Sequence, residues 1–212
     1  GAIVMAHGDD QGLILPPKLA PVQCVIVPIY RGDAERPIVL DACERMALPL
    51  REKGVRIHID NRDQYRPGYK FNDWEQKGVP VRIEVGPRDL AKGEVSIAIR
   101  HSGEKSQEKL EGLSDRIPAI LEETQTGLFQ KALDFRAANT HVCDDYDEFK
   151  ARINDGGFFL AHWDGTRETE DQIKKDTKAT IRCIPFEGDL EPGKCIVTGK
   201  SSAQRVILAK AY

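Results

Sequence analysis

The stretch FNDWEQKGVPVRIEVGPRD, residues 71–89, places a helical turn, a tight turn and a strand within one short segment. Phe71 and Trp74 are three residues apart, so their side chains would share one face of a helix. KGVP predicts a turn after that helix. The alternation of apolar and charged residues in 79–85 predicts a strand, which a charged GPRD turn follows. Alternating helices and strands predict an α/β fold with crossovers between the strands of a mostly parallel or mixed sheet.

The polar and aromatic side chains of this stretch indicate a site for a planar, hydrogen-bonding ligand, such as an unpaired RNA base. Phe71 could stack on an unstacked base. Glu75 could accept hydrogen bonds from guanine N1–H and N2–H2, and Arg82 could donate two to guanine O6 and N7 or to a phosphate. Two alternatives stay open: Arg82 could form a salt bridge with Glu84 on the same strand face, and Trp74 could belong to the core.

Patterns typical of helices and strands continue on both sides of this stretch. Strands are predicted at residues 23–29, 55–59 and 94–99, and helices at 33–54, 67–77 and 114–139. Pro49 should bend or end the first of these helices early, because proline has no N–H to donate. A smaller α/β region follows, with helices at 144–153 and 168–177 and strands at 158–163, 180–185 and 205–210. Residues 2–5 are interpreted as a short strand, and prolines in 16–21 favour an extended linker and a domain boundary near residue 20.

Composition narrows the class of protein. A chain of 212 residues with 40% hydrophobic and 31% charged residues is typical of one or two globular domains. It contains neither an apolar run long enough to span a membrane nor a secretion signal, so we expect a soluble cytoplasmic protein. A net charge of −3 argues against broad sequence-independent nucleic-acid binding but is compatible with recognition of a few unpaired bases.

Cysteines and motifs exclude several enzyme classes. The five cysteines are an odd number and no two form a close pair, so a disulfide framework or a simple zinc module is not expected, and each is predicted to be buried. GxxxxGK[ST], GxSxG, HExxH and GxGxxG are absent. The best catalytic-looking fragment is His7-Gly8-Asp9-Asp10, for which a plain polar turn is the alternative interpretation.

Four stretches together resemble the C-terminal part of the prolyl-tRNA synthetases of the archaeal/eukaryotic-like type. They are MAHGDDQGLILPPKLAPVQ (5–23), RPGYKFNDWEQKGVPVRIEVGPRD (66–89), ATIRCIPF (179–186) and RVILAKAY (205–212). The resemblance implies a class II aminoacyl-tRNA synthetase, a ligase that activates proline with ATP and Mg²⁺ and transfers it to tRNA(Pro). His7, Asp9 and Asp10 fall at the end of the third class-defining motif, and the other motifs are missing. We therefore expect a fragment without cofactors or aminoacylation activity of its own.

The resemblance also implies a domain organisation. Residues 1–20 would be the tail of the catalytic domain and a linker. Residues 21–122 would form the class IIa anticodon-binding fold, a mixed five-stranded sheet with flanking helices, and residues 123–212 a smaller α/β C-terminal domain. The implied partners are tRNA(Pro) and the enzyme's own catalytic domain, in a parent protein that is a homodimer; no membrane or DNA partner is implied.

Residue roles carry over by motif position. Phe71, Glu75, Arg82 and Asp89 fall where the family contacts the two guanines of proline anticodons, and Lys105 in the GEK turn corresponds to a further contact. The final residue, Tyr212, matches a terminal tyrosine whose carboxylate reaches toward the catalytic domain.

Many family members hold zinc through four cysteines in the C-terminal domain, and this chain departs from that pattern. The four positions carry Asp164, Thr169, Cys195 and Thr198. Threonine is a poor zinc ligand, so we expect a metal-free domain whose former site is filled by hydrogen bonds and packing. Cys183 is interpreted as a strand residue and not as a replacement ligand.

The sequence leaves two alternative functions. A free-standing tRNA-binding or regulatory protein could have kept the anticodon domain, but a start within a predicted strand favours a truncated ligase. A nucleotide-binding α/β domain unrelated to tRNA is disfavoured because no Gly-rich phosphate loop is present.

Overall fold

A computed structural model of the chain describes residues 1–186 and 191–211 and divides into two compact units, Gly1–Ala132 and Leu133–Tyr212. Tyr212, to which the resemblance gives a role, lies outside the described residues. Within the part that is described, no helix combines the length and the apolar character needed to cross a membrane.

The first unit is built on a five-stranded mixed sheet. Its strands are β1 (Cys24–Pro28), β2 (Ile57–Ile59), β3 (Val81–Val85), β4 (Glu94–Ile99) and β5 (Lys105–Lys109). Their order is β2-β1-β3-β4-β5; β1 runs parallel to β2 and β3, whereas β4 is antiparallel to both β3 and β5. The predicted mixed five-stranded sheet with flanking helices is therefore confirmed.

Five helices begin in this unit, and α2, α3 and α5 among them cover both faces of the sheet. They are α1 (Ala2–His7), α2 (Arg36–Glu52), α3 (Pro67–Gln76), α4 (Pro87–Leu90) and α5 (Leu113–Ala138). One face presents Ile26, Ile83 and Ile97 to a core that also contains the apolar stripes of α2 and the first half of α5. On the other face, Phe71 and Trp74 of α3 pack on the valines of β1. Because side chains alternate along a strand, Arg82 and Glu84 of β3 lie on the α3 side.

Two local predictions were wrong, and a third was wrong in part. Residues 2–7 form a helix and not a strand, with Met5 N–H donating to Gly1 O at 3.0 Å; an apolar run this short does not distinguish the two structures. Helix α2 does not end at Pro49, one of the two outcomes predicted for that residue, but continues to Glu52, since Ala47 and Leu50 on its buried face pack that last turn into the core. The GPRD segment is a short helix, because Pro87 supplies the backbone angle required at a first helical position.

The second unit is a smaller α/β structure, as predicted. Its four-stranded sheet has the order β6-β7-β11-β8, from β6 (Thr140–Val142), β7 (Phe158–His162), β8 (Ala179–Cys183) and β11 (Arg205–Lys210). Helices α6 (Tyr146–Arg152) and α7 (Arg167–Thr177) pack on it, and β9 (Gly193–Lys194) pairs with β10 (Ser201–Ser202). Phe149, Phe159 and Leu208 are fully buried in its core. Strands β6, β9 and β10 have two or three residues each, too few to give a sequence pattern.

The cysteines follow the prediction with one exception. All five are free thiols; Cys24, Cys43, Cys143 and Cys195 are buried, and burial raises the pKa of Cys24 and Cys43. Cys183 is exposed, which corrects the prediction for this residue. It ends β8, an edge strand of its sheet, where one side of the strand has no neighbour to cover it.

Candidate nucleic-acid interface

Arg82 is the best-anchored side chain of the predicted site. Only 4% of its side chain is exposed. Its Nη1 donates to Glu75 Oε1 at 2.7 Å, while Nε and Nη2 donate to Glu84 Oε1 at 3.1 and 3.0 Å. The guanidinium carbon also lies 4.3 Å from the centre of the Phe71 ring. The salt bridge with Glu84 that the sequence left open is therefore formed, and Glu75 shares the same cation.

These contacts do not use every N–H group of the guanidinium. A guanidinium has five N–H groups, of which the contacts to Glu75 and Glu84 use three. The side chain of Glu75 is 32% exposed, so its carboxylate is open to a ligand while Arg82 fixes its position. The arrangement presents an oriented acceptor next to N–H donors, which matches the edge of a guanine better than a single free charge would.

The sheet register brings Lys105 beside this pair. Arg82 on β3 lies opposite Ala98 on β4, and Ala98 lies opposite Lys105 at the start of β5. The methyl side chain of Ala98 leaves open space between the two cations. A cavity of about 610 Å³ occupies this position and is lined by residues that include Glu75, Arg82, Ala98 and Lys105. The structure thus brings three of the five predicted contact residues to one cavity.

Phe71 and Asp89 have different surroundings. The half-buried Phe71 ring packs against Arg82 and the valines of β1 and is not among the residues lining this cavity. Asp89 belongs to α4, after the end of β3, and lines a separate cavity of about 330 Å³ together with Tyr30 and Arg31. Asp89 therefore lies at the carboxyl edge of the parallel strands and not beside Glu75.

The N-terminal segment supplies a wall of the larger cavity. Arg100, which follows β4, donates from Nη1 to Asp9 Oδ2 at 2.9 Å, and its Nη2 donates to the other carboxylate oxygen. The hydrogen bond from Arg100 lowers the pKa of Asp9 to about 2. Asp10 lines the cavity, whereas His7 lies in the last turn of α1. The pair of Asp9 with Arg100 was not predicted, because 91 positions separate the two residues and Arg100 stands in no recognisable motif.

Two glycines allow this segment to approach α3 closely. Leu13 N–H donates to Gln76 O at 3.1 Å. Gly12 has a φ of +136°, and a Cβ there would lie 2.6 Å from the Cα of Gln76. A Cβ on Gly78 would lie 2.7 Å from the backbone oxygen of Leu13. Neither position can carry a side chain without moving the wall of the cavity.

Trp74 belongs to the core, as the second open interpretation proposed. It packs against the valines of β1, and its indole Nε1 donates to Asp60 Oδ2 at 2.9 Å. Asp60 is fully buried and also accepts from Arg62 Nε at 2.8 Å and Nη2 at 2.7 Å. Burial alone would raise the pKa of Asp60, but the hydrogen bonds from Arg62 and Trp74 outweigh it and hold this pKa well below its usual range.

In the second unit, threonine hydroxyls surround Asp164. Its Oδ2 accepts from Thr169 Oγ1 at 3.1 Å and from Thr198 Oγ1 at 2.9 Å, and its Oδ1 accepts from Thr166 Oγ1 at 2.8 Å. Burial opposes ionisation of this carboxylate, but the hydrogen bonds prevail and lower its pKa to about 2. Cys195 is buried, and its N–H donates to Lys200 O at 2.8 Å. Among the described residues, no three His, Cys, Asp or Glu side chains are grouped as a metal would require.

Comparison with known proteins agrees with these two units. Residues 23–120 match the family described as anticodon binding domain, and residues 146–212 match the family described as prolyl-tRNA synthetase, C-terminal. The chain is 51% identical to a proline–tRNA ligase of Porphyromonas gingivalis, 50% to one of Bacteroides fragilis and 47% to one of Roseiflexus sp.. All of the chain is covered in each comparison, and it spans 43–44% of the length of these relatives. The chain therefore belongs to the prolyl-tRNA synthetase family and corresponds to the C-terminal part of its members, an anticodon-binding domain followed by the family's C-terminal domain.

Proposed function

We propose that the first unit binds the anticodon of tRNA(Pro) and recognises a guanine in the cavity lined by Glu75, Arg82 and Lys105. The observation that carries this proposal is the convergence of one oriented acceptor and two cations on one cavity. Guanine presents the complementary pattern, with donors at N1 and N2 and acceptors at O6 and N7. The volume of about 610 Å³ is within the range of pockets that hold nucleotide-sized ligands.

Each side chain has a distinct part in this proposal. Glu75 accepts from guanine N1–H and N2–H2, the pairing that excludes adenine because adenine has no donor at N1. Arg82 holds Glu75 in place and offers its remaining N–H groups to O6. Lys105, at the open side of the cavity, neutralises O6 or a phosphate. Phe71 supports the guanidinium from one side, and we expect an unstacked base to stack on the exposed part of its ring.

The second anticodon guanine is assigned to Asp89. The support is chemical: a carboxylate accepts from guanine N1–H and N2–H2 just as Glu75 does. Asp89 lines its own cavity of about 330 Å³, beside Arg31. Two carboxylates in two cavities would let two adjacent guanines be recognised separately.

As part of a proline–tRNA ligase, the chain would select the tRNA while the catalytic domain joins proline to it with ATP and Mg²⁺. His7, Asp9 and Asp10 would connect the two functions, and the ion pair of Asp9 with Arg100 fixes that connection to the anticodon unit. The homodimer of the parent, its cytoplasmic location and the domain limits at residues 20 and 122 are part of the same proposal.

For the second unit we propose a metal-free domain, because the hydroxyls of Thr169 and Thr198 already donate to Asp164.

Chemical protection tests the guanine assignment. Kethoxal reacts with N1 and N2 of unpaired guanine, the atoms proposed to contact the carboxylates. We expect the chain to protect both anticodon guanines of tRNA(Pro), and Glu75→Gln to abolish protection of one of them only. Full reactivity of both guanines in the complex with the unaltered chain would refute the assignment.

A further inference from the structure

Arg100 lies where three segments around the cavity of about 610 Å³ meet. It directly follows β4, and its N–H donates to Pro80 O at 2.9 Å, just before β3. Its guanidinium donates to the carboxylate of Asp9, to Gly12 O at 3.3 Å and to Glu75 O at 3.3 Å. One residue thus joins the N-terminal segment, the end of α3 and the start of β3.

The guanidinium of Arg100 has little left to offer a ligand. Its hydrogen bonds to the two oxygens of Asp9 and to two backbone oxygens occupy four of its five N–H groups. Only 6% of the side chain is exposed. Arg100 therefore differs from Arg82, which keeps more of its N–H groups for a base, and an effect of Arg100 on binding would be indirect.

The contact with Glu75 is to the backbone of the residue whose carboxylate borders the cavity. Glu75 lies in the last turn of α3, where carbonyl groups have no partner within the helix. Its oxygen accepts from Gly78 N–H at 3.0 Å and from Arg100 Nε at 3.3 Å. A cation at the C-terminal end of a helix also interacts favourably with the helix dipole. Arg100 thus fixes the backbone from which the Glu75 carboxylate projects.

Asp9 is ordered by its own segment before it meets Arg100. Its Oδ1 accepts from the N–H groups of Gln11 at 2.9 Å and Gly12 at 3.1 Å. The carboxylate presents both oxygens to the guanidinium, and such a two-point pair fixes orientation as well as distance. Lysine, with a single ammonium, could not make the same set of contacts. The Asp9 side chain is 42% exposed, so a change there leaves the core intact.

We propose that Arg100, held by Asp9, is a positioning residue for guanine recognition, because it fixes the last turn of α3 so that the Glu75 carboxylate faces the base. This inference rests on the proposed function, in which that cavity recognises an anticodon guanine. Arg100 acts through the backbone of Glu75 and does not contact the base. Asp89 lines a separate cavity, so recognition of the second guanine should not depend on Arg100.

Two variants weaken the pair in different ways. Arg100→Lys keeps the positive charge, so the general attraction to RNA is retained, but it loses the two-point geometry. Asp9→Asn removes the charge of the partner and keeps an acceptor oxygen for the neighbouring N–H groups. Arg45→Lys is the matched control, because Arg45 is an exposed arginine of α2 that pairs with Asp41 and is not among the residues lining this cavity.

The measurement is the affinity of each variant for three tRNA(Pro) transcripts by filter binding. One transcript is normal, and in each of the others one anticodon guanine is replaced by adenine. Glu75→Gln identifies the guanine that Glu75 contacts. The ratio of affinities for the normal transcript and the transcript lacking that guanine then measures selectivity, and a change that affects both transcripts alike cancels.

We expect Arg100→Lys and Asp9→Asn each to lower this ratio at least about threefold and to leave the ratio at the other guanine unchanged. Arg45→Lys should change neither ratio. Because the two residues act as one pair, the double variant should lose no more selectivity than Arg100→Lys alone. Urea unfolding checks that the variants fold, and if Arg100→Lys does not, Asp9→Asn decides alone.

An unchanged ratio in a folded variant of either residue would overturn the positioning role. An equal loss at both guanines, or a similar loss in Arg45→Lys, would also overturn it, since general loosening of the chain would then account for the effect. If the unaltered chain binds all three transcripts equally, the proposed function fails and this inference fails with it. The two failures are therefore distinguished by the unaltered chain.

Discussion

Arg82 forms the salt bridge with Glu84, and the proposed recognition of a base would use the same side chain. The guanidinium is buried between two carboxylates and an aromatic ring, and the same ion pair orients Glu75 toward the cavity. Structural and binding roles at this position cannot be separated by removing Arg82 alone. They can be separated by comparing Arg82 with Glu75, which is partly exposed and depends on Arg82 for its orientation.

Replacing Glu75 by Gln should weaken binding with little effect on folding. The amide keeps the size of the side chain but replaces one acceptor oxygen with a donor, which faces the donors of guanine. We expect a loss of about 1–3 kcal/mol in binding of tRNA(Pro), confined to one anticodon position. Filter binding measures it, with urea unfolding as the control for stability. A large loss of stability without a loss of base selectivity would contradict the assigned role.

Replacing Arg82 by Ala should lower stability as well as binding. The change leaves Glu84, whose side chain is 17% exposed, without its cation. Breaking a buried ion pair by removing one partner costs about 3–5 kcal/mol. Urea unfolding should therefore show a marked drop, while Lys105→Ala, an exposed cation at the same cavity, should leave stability unchanged. Unchanged stability of Arg82→Ala would mean that the buried network contributes little.

The proximity of Glu75, Arg82 and Glu84 could be predicted from the sequence. Alternation along β3 places Arg82 and Glu84 on one face, and helical spacing from Phe71 places Glu75 one turn away, so their proximity follows from local geometry. Lys105 was assigned to the site through the family resemblance, since the register that brings it beside Arg82 passes through two connections, from β3 to β4 and from β4 to β5. The pair of Asp9 with Arg100 depends on contacts between distant segments, for which the local sequence carries no signal.

At the scale of elements, the backbone of residues 9–15 lies so close to α3 that glycine is required at the contact. Gly12→Ala would place a Cβ 2.6 Å from the Cα of Gln76 at a φ of +136°. We expect a loss of about 1–3 kcal/mol of stability, because both the clash and the backbone angle disfavour alanine. Gly68→Ala in α3, where a Cβ meets no atom within 4 Å, is the matched control and should be neutral or stabilising. Thermal unfolding compares the two, and equal stability of the two variants would contradict the close approach.

The threonine and Asp164 cluster gives the second unit a defined pH dependence. Its hydrogen bonds lower the pKa of Asp164 from 3.8 to about 2. A lowered folded-state pKa contributes stability that is complete above 3.8 and is lost as the pH falls toward 2. Urea unfolding followed through NMR signals of the second unit should show this loss, and Asp164→Asn should lack it. An NMR titration of Asp164 with a midpoint near 3.8 would contradict the cluster.

Treatment with a metal chelator should not change the stability of the second unit. The hydroxyls of Thr169 and Thr198 donate to Asp164, and threonine is a poor zinc ligand. We therefore expect EDTA to have no effect on thermal unfolding of the chain and elemental analysis to find no stoichiometric zinc. Stoichiometric zinc whose removal lowers the unfolding temperature would overturn the metal-free proposal.

Elements with a strong apolar pattern were predicted, whereas most of the shortest strands were not. Strands β4 and β11 begin and end at the predicted residues, since turns bound their patterns on both sides. Strand β5, with the sequence KSQEK, is an edge strand with mostly exposed side chains, so its existence followed only from the resemblance. Helix α1 was predicted as a strand. None of its residues is buried, so its sequence lacks the helical spacing of apolar residues that a buried helix face produces.

At the scale of the molecule, the chain combines an anticodon-binding unit with a second α/β unit and spans 43% of the length of its Porphyromonas gingivalis relative. The function proposed for the chain is selection of tRNA(Pro) through anticodon guanines. The most direct measurement is the affinity of the chain for a tRNA(Pro) transcript against one in which both anticodon guanines are replaced by adenine. Each lost guanine contact should cost about 1–3 kcal/mol, so the replaced transcript should bind at least about tenfold more weakly. Equal affinity for the two transcripts would contradict the account.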